Sequence, residues 1–181
     1  MRPALRTATA ALLLCVALPL SACNDSSEGS TMGDTPSATA DGPAALRQRP
    51  SLEDQVERLT TMRDEMRSQL AAELKLTSWK GMGDENAAGC EDFPGVGGQT
   101  RFLEALLLDS GVPDAQWQDA VQVLARVGAR YGFGAPDTVL DTAGRHEVVL
   151  KGQYGSLVRF GTQAKATLAV ETGCHLPAAK L

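Results

Sequence analysis

The chain has 181 residues, and its 22 acidic and 17 basic side chains give a formal net charge of −5. The charges are scattered, and no basic run is longer than two residues. Because the sequence has no cluster of basic residues, the composition excludes nucleic-acid binding and direct electrostatic attachment to anionic lipid.

The first 22 residues have the layout of a secretory signal peptide. Two basic residues, Arg2 and Arg6, precede an apolar stretch from Ala8 to Leu20, which is the order that export signals share. A membrane-spanning helix needs about 20 apolar residues, and this stretch is shorter. We therefore predict that residues 1–22 form a signal peptide that is removed.

The end of this segment, Leu20-Ser21-Ala22-Cys23, resembles the lipobox of bacterial lipoproteins. The resemblance implies that the Cys23 thiol receives a diacylglyceryl chain and that its amine receives a further acyl chain such as palmitate. Each buried methylene contributes about 0.8 kcal/mol, so two or three chains hold a protein on a membrane. Cys23 is thus the predicted lipidation site, with the protein anchored at the extracytoplasmic face of the cell membrane. An ordinary secretory signal with an incidental cysteine is the alternative.

Two cysteines, Cys90 and Cys174, remain once Cys15 is removed and Cys23 is lipidated. In an oxidising compartment such a pair favours one disulfide. A bond that closes so long a loop contributes about 4–5 kcal/mol by the chain-entropy model. Two free buried thiols are the alternative. A metal site is disfavoured because it would require His146 and His175 to converge with both cysteines, and we predict no metal and no cofactor.

Residues 23–50 are rich in Ser, Thr, Gly, Asp, Ala and Pro, with Met32 and Leu46 as the only large apolar side chains. A segment of this composition buries too little apolar surface to offset its conformational entropy. We predict a disordered tether that lets a folded domain, residues 51–181, stand off the membrane.

A long amphipathic helix is predicted to begin at Ser51, a favourable N-cap with Asp54 three residues later. Apolar residues then recur at spacings of three and four along one face: Leu52, Val56, Leu59, Met62, Met66, Leu70 and Leu74. The pattern indicates packing on a sheet or on other helices. A coiled-coil partner helix is the alternative.

The middle of the chain predicts two strands, a loop and a second helix. Residues 76–80 and 100–108 are the strands, and residues 81–98 are a glycine-rich loop. Gly95-Val96-Gly97-Gly98 lacks the Lys-Ser/Thr ending of a phosphate-binding loop, which favours ordinary turn glycines. The second helix begins at Pro113-Asp114 and ends before Gly132.

The C-terminal part predicts a meander of strands at residues 138–141, 146–150, 156–161 and 166–172, where β-branched and aromatic residues are frequent. The order of elements predicts one α+β domain, large enough for a core of its own. Its simplest form is an antiparallel sheet of about four to five strands with two helices packed on one face.

Several short motifs resemble the LppA-like lipoproteins of actinobacteria. They are Ser51, Trp79, Cys90, Trp117, Tyr131-Gly132-Phe133 and Gly173-Cys174-His175-Leu176-Pro177. The resemblance covers roughly residues 51–177. It implies a membrane-anchored envelope protein with an α+β domain and supports the pairing of Cys90 with Cys174. It implies no activity.

We predict no catalytic residues and a non-enzymatic lipoprotein that binds an envelope protein or a small ligand. The contact surface would be the exposed sheet face or the loop at residues 81–98, and an apolar patch on the sheet would favour this hypothesis.

Two other hypotheses stay open. An envelope hydrolase would require a nucleophile with a base or paired carboxylates, and neither His146 nor His175 lies in a known motif. A structural role is preferred for His175, and a converging His–carboxylate pair in a deep pocket would favour the hydrolase. The third hypothesis is a scaffold that oligomerises through the first helix.

Overall fold

The computed structural model describes residues 42–181, which form three α-helices and eight β-strands. The helices are α1 (Gly42–Arg47), α2 (Leu52–Leu74) and α3 (Asp114–Arg130). The strands are β1 (Trp79–Gly81), β2 (Asn86–Gly89), β3 (Gln99–Phe102), β4 (Leu106–Leu108), β5 (Asp137–Thr142), β6 (Arg145–Lys151), β7 (Leu157–Thr162) and β8 (Ala166–Glu171).

The predicted signal peptide, Cys23 and the first part of the predicted tether lie outside the described residues. Within residues 42–181, no helix combines the length and the apolarity that crossing a membrane requires.

All strands belong to one antiparallel sheet with the order β1-β4-β8-β7-β6-β5, and β3 joins it by pairing with both β2 and β8. The α+β class is confirmed, but the predicted number of four to five strands was too low. Relative to the six strand segments that the sequence indicated, one extra strand is β2, which lies inside the predicted loop because its alanines and glycine have little strand preference of their own. Pairing with β3 holds it extended.

The second extra strand arises because the predicted strand at residues 100–108 is two strands, β3 and β4. Phe102 pairs with Glu171 and Leu106 pairs with Leu168, so the β3–β4 connection has one residue more than the stretch of β8 that it faces. An extra residue of this kind interrupts a ladder and changes which side chains point inward. Leu103 and Leu106 both point into the core as a result, although they are three positions apart, and the Leu103 N–H donates to the Val170 carbonyl at 3.0 Å.

Helices α2 and α3 both pack on one face of the sheet, as the sequence predicted. Ser51 caps α2 by accepting a hydrogen bond from the Asp54 N–H at 3.1 Å, which satisfies one of the free donors at a helix start. The strands alternate, and their inward side chains form a single core with the two helices. That core includes Leu59, Met62, Met66, Leu70, Trp117, Leu124, Val127, Leu108, Leu150, Val158, Phe160 and Leu168.

A second, smaller cluster surrounds the disulfide between Cys90 and Cys174, whose Cα atoms are 5.7 Å apart. The bond links the loop after β2 to the segment after β8, and it is the pair that the sequence predicted. Around it pack Leu46, Phe93, Val96 and Leu176.

Helix α1 corrects the predicted extent of the tether, because residues 42–50 belong to the folded domain. Leu46 is fully buried against the disulfide cluster. A single apolar side chain in a polar segment does not change the average composition, yet burying it contributes about 1.5–3 kcal/mol. The predicted boundary at residue 50 was therefore too late.

Gly98 is the position where this cluster is packed most tightly. A Cβ there would lie 2.9 Å from Cys90 Sγ, 3.1 Å from Cys174 Sγ and 3.2 Å from Leu46 Cδ1. We expect Gly98→Ala to lower the free energy of unfolding by about 1–3 kcal/mol, the usual cost of overpacking, as measured by denaturant titration of the oxidised protein.

The matched control is Gly89→Ala in β2, where a Cβ meets nothing within 4 Å. It should leave the free energy of unfolding unchanged within about 0.5 kcal/mol. Equal losses in the two variants would contradict the proposed role of packing at Gly98.

Candidate functional site

A buried hydrogen-bond network fixes the segment after β8, and His175 lies at its centre. The ring is fully buried, with Nδ1 2.9 Å from the Pro50 carbonyl and Nε2 3.2 Å from the Thr172 carbonyl. Burial lowers the pKa of His175, although both backbone hydrogen bonds act in the opposite direction. The ring thus connects the start of α2 to the C-terminal segment, which agrees with the structural role preferred from the sequence.

Tyr154 packs edge-on against His175, with ring centroids 5.4 Å apart. It has φ 60° and ψ 19°, a left-handed conformation that costs a non-glycine residue about 1–2 kcal/mol. Such backbone strain is retained only where the surroundings enforce it, and it is frequent at ligand-binding sites. Tyr154 is also 38% exposed, so the strain presents an aromatic ring at the surface.

Arg49 lies between two aromatic rings. Its guanidinium carbon is 5.0 Å from the ring centroids of both Phe93 and Tyr154, within the range of cation–π attraction. One terminal nitrogen also donates to the Cys174 carbonyl at 2.8 Å. These contacts leave Arg49 as part of the wall of a cavity.

That cavity, of about 500 Å³, opens beside the disulfide. Its wall includes Arg49, Phe93, Cys174, Tyr154, Phe102 and Glu171. The volume lies within the range of small-molecule sites, which bind ligands in clefts of about 300–1,000 Å³.

A second cavity, of about 380 Å³, lies on the face of the sheet opposite the helices. The register aligns Leu157, Glu171, Phe102 and Asn86 across four neighbouring strands of this face. The wall also includes Met82, Val149 and Ala169. Phe102 and Glu171 line both cavities, and we call the two cavities together the outer groove.

The outer groove exposes apolar surface. Phe102 is 41% exposed and Met82 is 53% exposed, and neither of the long helices covers this face, since both are packed on the other side. Contiguous exposed apolar surface is typical of protein or ligand contact sites. The groove therefore has the apolar character that the binding hypothesis requires of the sheet.

Glu171 is the polar group at the junction of the two cavities. Its side chain is half-buried, and burial raises its pKa, with Arg159 acting in the opposite direction. Within residues 42–181, no group donates a hydrogen bond to its carboxylate, and no basic side chain forms an ion pair with it. Arg159 pairs instead with Glu147.

His146 lies away from the outer groove. Its Nδ1 is 2.7 Å from Asp141 and its Nε2 is 3.0 Å from Asp114, and the ring stacks on Trp117 with centroids 5.0 Å apart. The hydrogen bond to Asp114 is the largest cause that raises the pKa of His146. Both nitrogens are engaged by carboxylates, so the protonated ring connects the start of α3 to the β5–β6 hairpin. This arrangement has no free nitrogen to act as a base.

The sequence-predicted residues thus fall into three places. Cys90 and Cys174 lie in the wall of the outer groove, His175 lies beneath it, and His146 lies elsewhere. Cys23 is outside the described residues. Over residues 42–181, no cluster of three or more His, Cys, Asp or Glu side chains could hold a metal ion.

Three groove residues were missed by the sequence analysis: Arg49, Tyr154 and Glu171. Arg49 was assigned to the tether, and Tyr154 was treated as a turn residue. Alternation along β8 does place Glu171 on the side opposite Val170. Which strands flank it, however, depends on long-range pairing that no local pattern reports.

Comparisons with known proteins agree with this fold. A family model for LppA, described as a lipoprotein confined to pathogenic Mycobacterium, matches residues 28–178. The crystal structure of the lipoprotein LppA from Mycobacterium tuberculosis is similar, with a TM-score of 0.59 and 14% identity, over 76% of this chain and 85% of that chain. A DUF4853 family protein from Actinomyces odontolyticus has a TM-score of 0.56 and 18% identity, over 74% and 72% of the respective chains. No curated protein matches the sequence.

The contacts of His146 predict a stability that depends on pH. Because the folded protein raises the pKa of His146, the interaction contributes fully below the ordinary histidine pKa. Its contribution is lost as pH rises through the higher, folded value. We expect the free energy of unfolding to fall as the pH rises above the ordinary histidine pKa of about 6.5, by at most about 1.4 kcal/mol per pH unit for one group.

The measurement is denaturant unfolding at several pH values for the parent protein and for His146→Gln, which cannot titrate. The variant should lose this slope. Retention of the slope in the variant would assign it to another group.

Proposed function

The chain belongs to the LppA family of lipoproteins, and from this membership we propose that it is an extracytoplasmic binding protein held on the cell membrane by lipid on Cys23. Residues 1–22 are its signal peptide, and the residues that follow Cys23 connect the lipid to the domain. The outer groove binds an envelope protein or a small ligand without catalysing a reaction.

The apolar character of the outer groove is the observation that carries the binding proposal. An antiparallel sheet that faces water on one side normally alternates apolar and polar residues. Here Leu157 and Phe102 lie on the uncovered side, and Phe102 is substantially exposed. Apolar residues at these positions add nothing to the main core, so they are explained by contact with another molecule.

Two features favour binding over hydrolysis. The wall of the outer groove contains a carboxylate, Glu171, but His146 is elsewhere with both ring nitrogens hydrogen-bonded to Asp114 and Asp141. His175 is fully buried beneath Tyr154, and both of its ring nitrogens face backbone carbonyl oxygens, those of Pro50 and Thr172. Neither histidine can reach a molecule in the groove.

The fold also disfavours the scaffold hypothesis. The apolar face of α2 that a coiled coil would use consists of Leu59, Met62, Met66 and Leu70, and all four are fully buried in the core. A partner helix could reach them only if α2 left the sheet. Packing within the domain therefore accounts for the stripe.

Lipid attachment can be tested by replacing the acceptor thiol. Cys23→Ser removes the only atom that can form the thioether, so the protein should move from the membrane fraction to the soluble extracytoplasmic fraction. Cell fractionation with immunoblotting measures this, and Cys23→Ser should also abolish metabolic labelling with palmitate. A variant that stays as firmly in the membrane fraction as the parent would refute the anchor.

The binding surface can be tested by photo-crosslinking in the cell. A photoreactive phenylalanine analogue at Phe102 or Met82 should give a discrete crosslinked product, because both side chains line the outer groove. The same analogue at Asp119, which is exposed on α3, serves as the control and should give none. Products of equal size and yield from all three positions would contradict a specific groove.

A further inference from the structure

We infer that the outer groove takes an extended polypeptide segment with a basic side chain, and that this side chain pairs with Glu171. The inference rests on the proposed function, since it names the partner chemistry of the same groove. It follows from the position of Glu171, from the charges around it and from the shape of the two cavities.

Glu171 is a carboxylate that lines both cavities and forms no hydrogen bond or ion pair with residues 42–181. It is half-buried between Leu157 on β7 and Phe102 on β3. Arg159 acts on this carboxylate electrostatically but forms its ion pair with Glu147. A partly buried carboxylate without a partner is costly, and a charge-assisted hydrogen bond from a guanidinium or ammonium group compensates that cost.

The basic residues in the groove are already engaged. Arg49 donates to the Cys174 carbonyl and lies between Phe93 and Tyr154. Arg159 pairs with Glu147. Beyond Glu171, the walls contain further acidic residues, namely Asp84, Glu91 and Asp92. The walls thus contain four acidic residues against two basic ones, so the charge of the groove favours a cationic occupant.

The shape favours an extended segment over a compact ligand. The two cavities meet at Phe102 and Glu171 and continue in different directions from them, one toward Tyr154 and the disulfide, the other across Val149 and Leu157. An extended peptide places alternate side chains on one side, so a basic residue at the junction would have apolar neighbours in both cavities.

Charge disfavours the other occupants. Residues 24–41 of this chain contain Asp25, Glu28, Asp34 and Asp41 and no basic residue, so they would be repelled. A second copy of this acidic chain and an anionic lipid surface meet the same repulsion. A basic segment of another protein is the occupant that complements the groove.

The test is a selection of 12-residue peptides from a random display library on the full chain, on Glu171→Gln and on Asp119→Asn. Asp119 is exposed on α3 and forms no hydrogen bond or ion pair with a described residue, so its variant controls for the loss of one negative charge. Circular dichroism and thermal unfolding establish that all three proteins are folded alike.

Peptides selected on the parent should share one Arg or Lys with apolar neighbours. The best peptide should bind Glu171→Gln about tenfold more weakly and Asp119→Asn within about twofold, since hydrogen bonds to charged groups have about this effect. Replacing its basic residue with citrulline or norleucine should cost the same factor in the parent and little in Glu171→Gln. Glu171→Lys should invert the selection toward acidic residues.

The outcomes separate this inference from the proposed function. Groove-binding peptides without a basic residue, or a basic residue whose effect is independent of Glu171, would overturn the inference and leave groove binding intact. Selected peptides whose binding is unaffected by a substitution at Phe102 would overturn both. The absence of any selected peptide would do the same.

Discussion

The disulfide between Cys90 and Cys174 is the contact on which the groove end of the domain depends. It joins the loop after β2 to the segment after β8. Around its sulfur atoms pack Leu46 from α1 and Phe93 from the loop. The same segment accepts the hydrogen bond of Arg49 at the Cys174 carbonyl. One covalent bond therefore organises α1, an aromatic pair and the wall of a cavity, in a region far from the main core.

The two faces of the sheet have different physical tasks. On the inner face, side chains such as Phe160 and Leu168 are fully buried beneath α2 and α3, and they supply most of the hydrophobic stabilisation. The outer face contributes little to that core and yet keeps Phe102, Leu157 and Val149. The inner face of the strands thus stabilises the domain, and the outer face carries the proposed binding surface. Residues of the outer face can therefore change without disturbing the core.

How much the sequence could predict follows from how local each signal is. The N-cap at Ser51 and the apolar stripe gave α2, and the strands around Val148 and Phe160 followed from their β-branched and aromatic residues. Strand β2 could not be predicted, because its alanines become a strand only by pairing with β3. The inward orientation of both Leu103 and Leu106 depends on a one-residue register difference opposite β8, which only the assembled sheet defines.

The position of Arg49 in the covalent chain has a mechanical consequence. Helix α1 and Arg49 lie just before Ser51, and their contacts with the domain include one buried leucine, two cation–π contacts and a hydrogen bond to Cys174. Tension applied from the N-terminal side would reach these few contacts before the α2 cap or the core. The first effect of such a load would be to remove a guanidinium from beside Tyr154, while the disulfide and the sheet stay in place. The aromatic end of the groove would therefore change its structure at a lower force than the force that unfolds the domain.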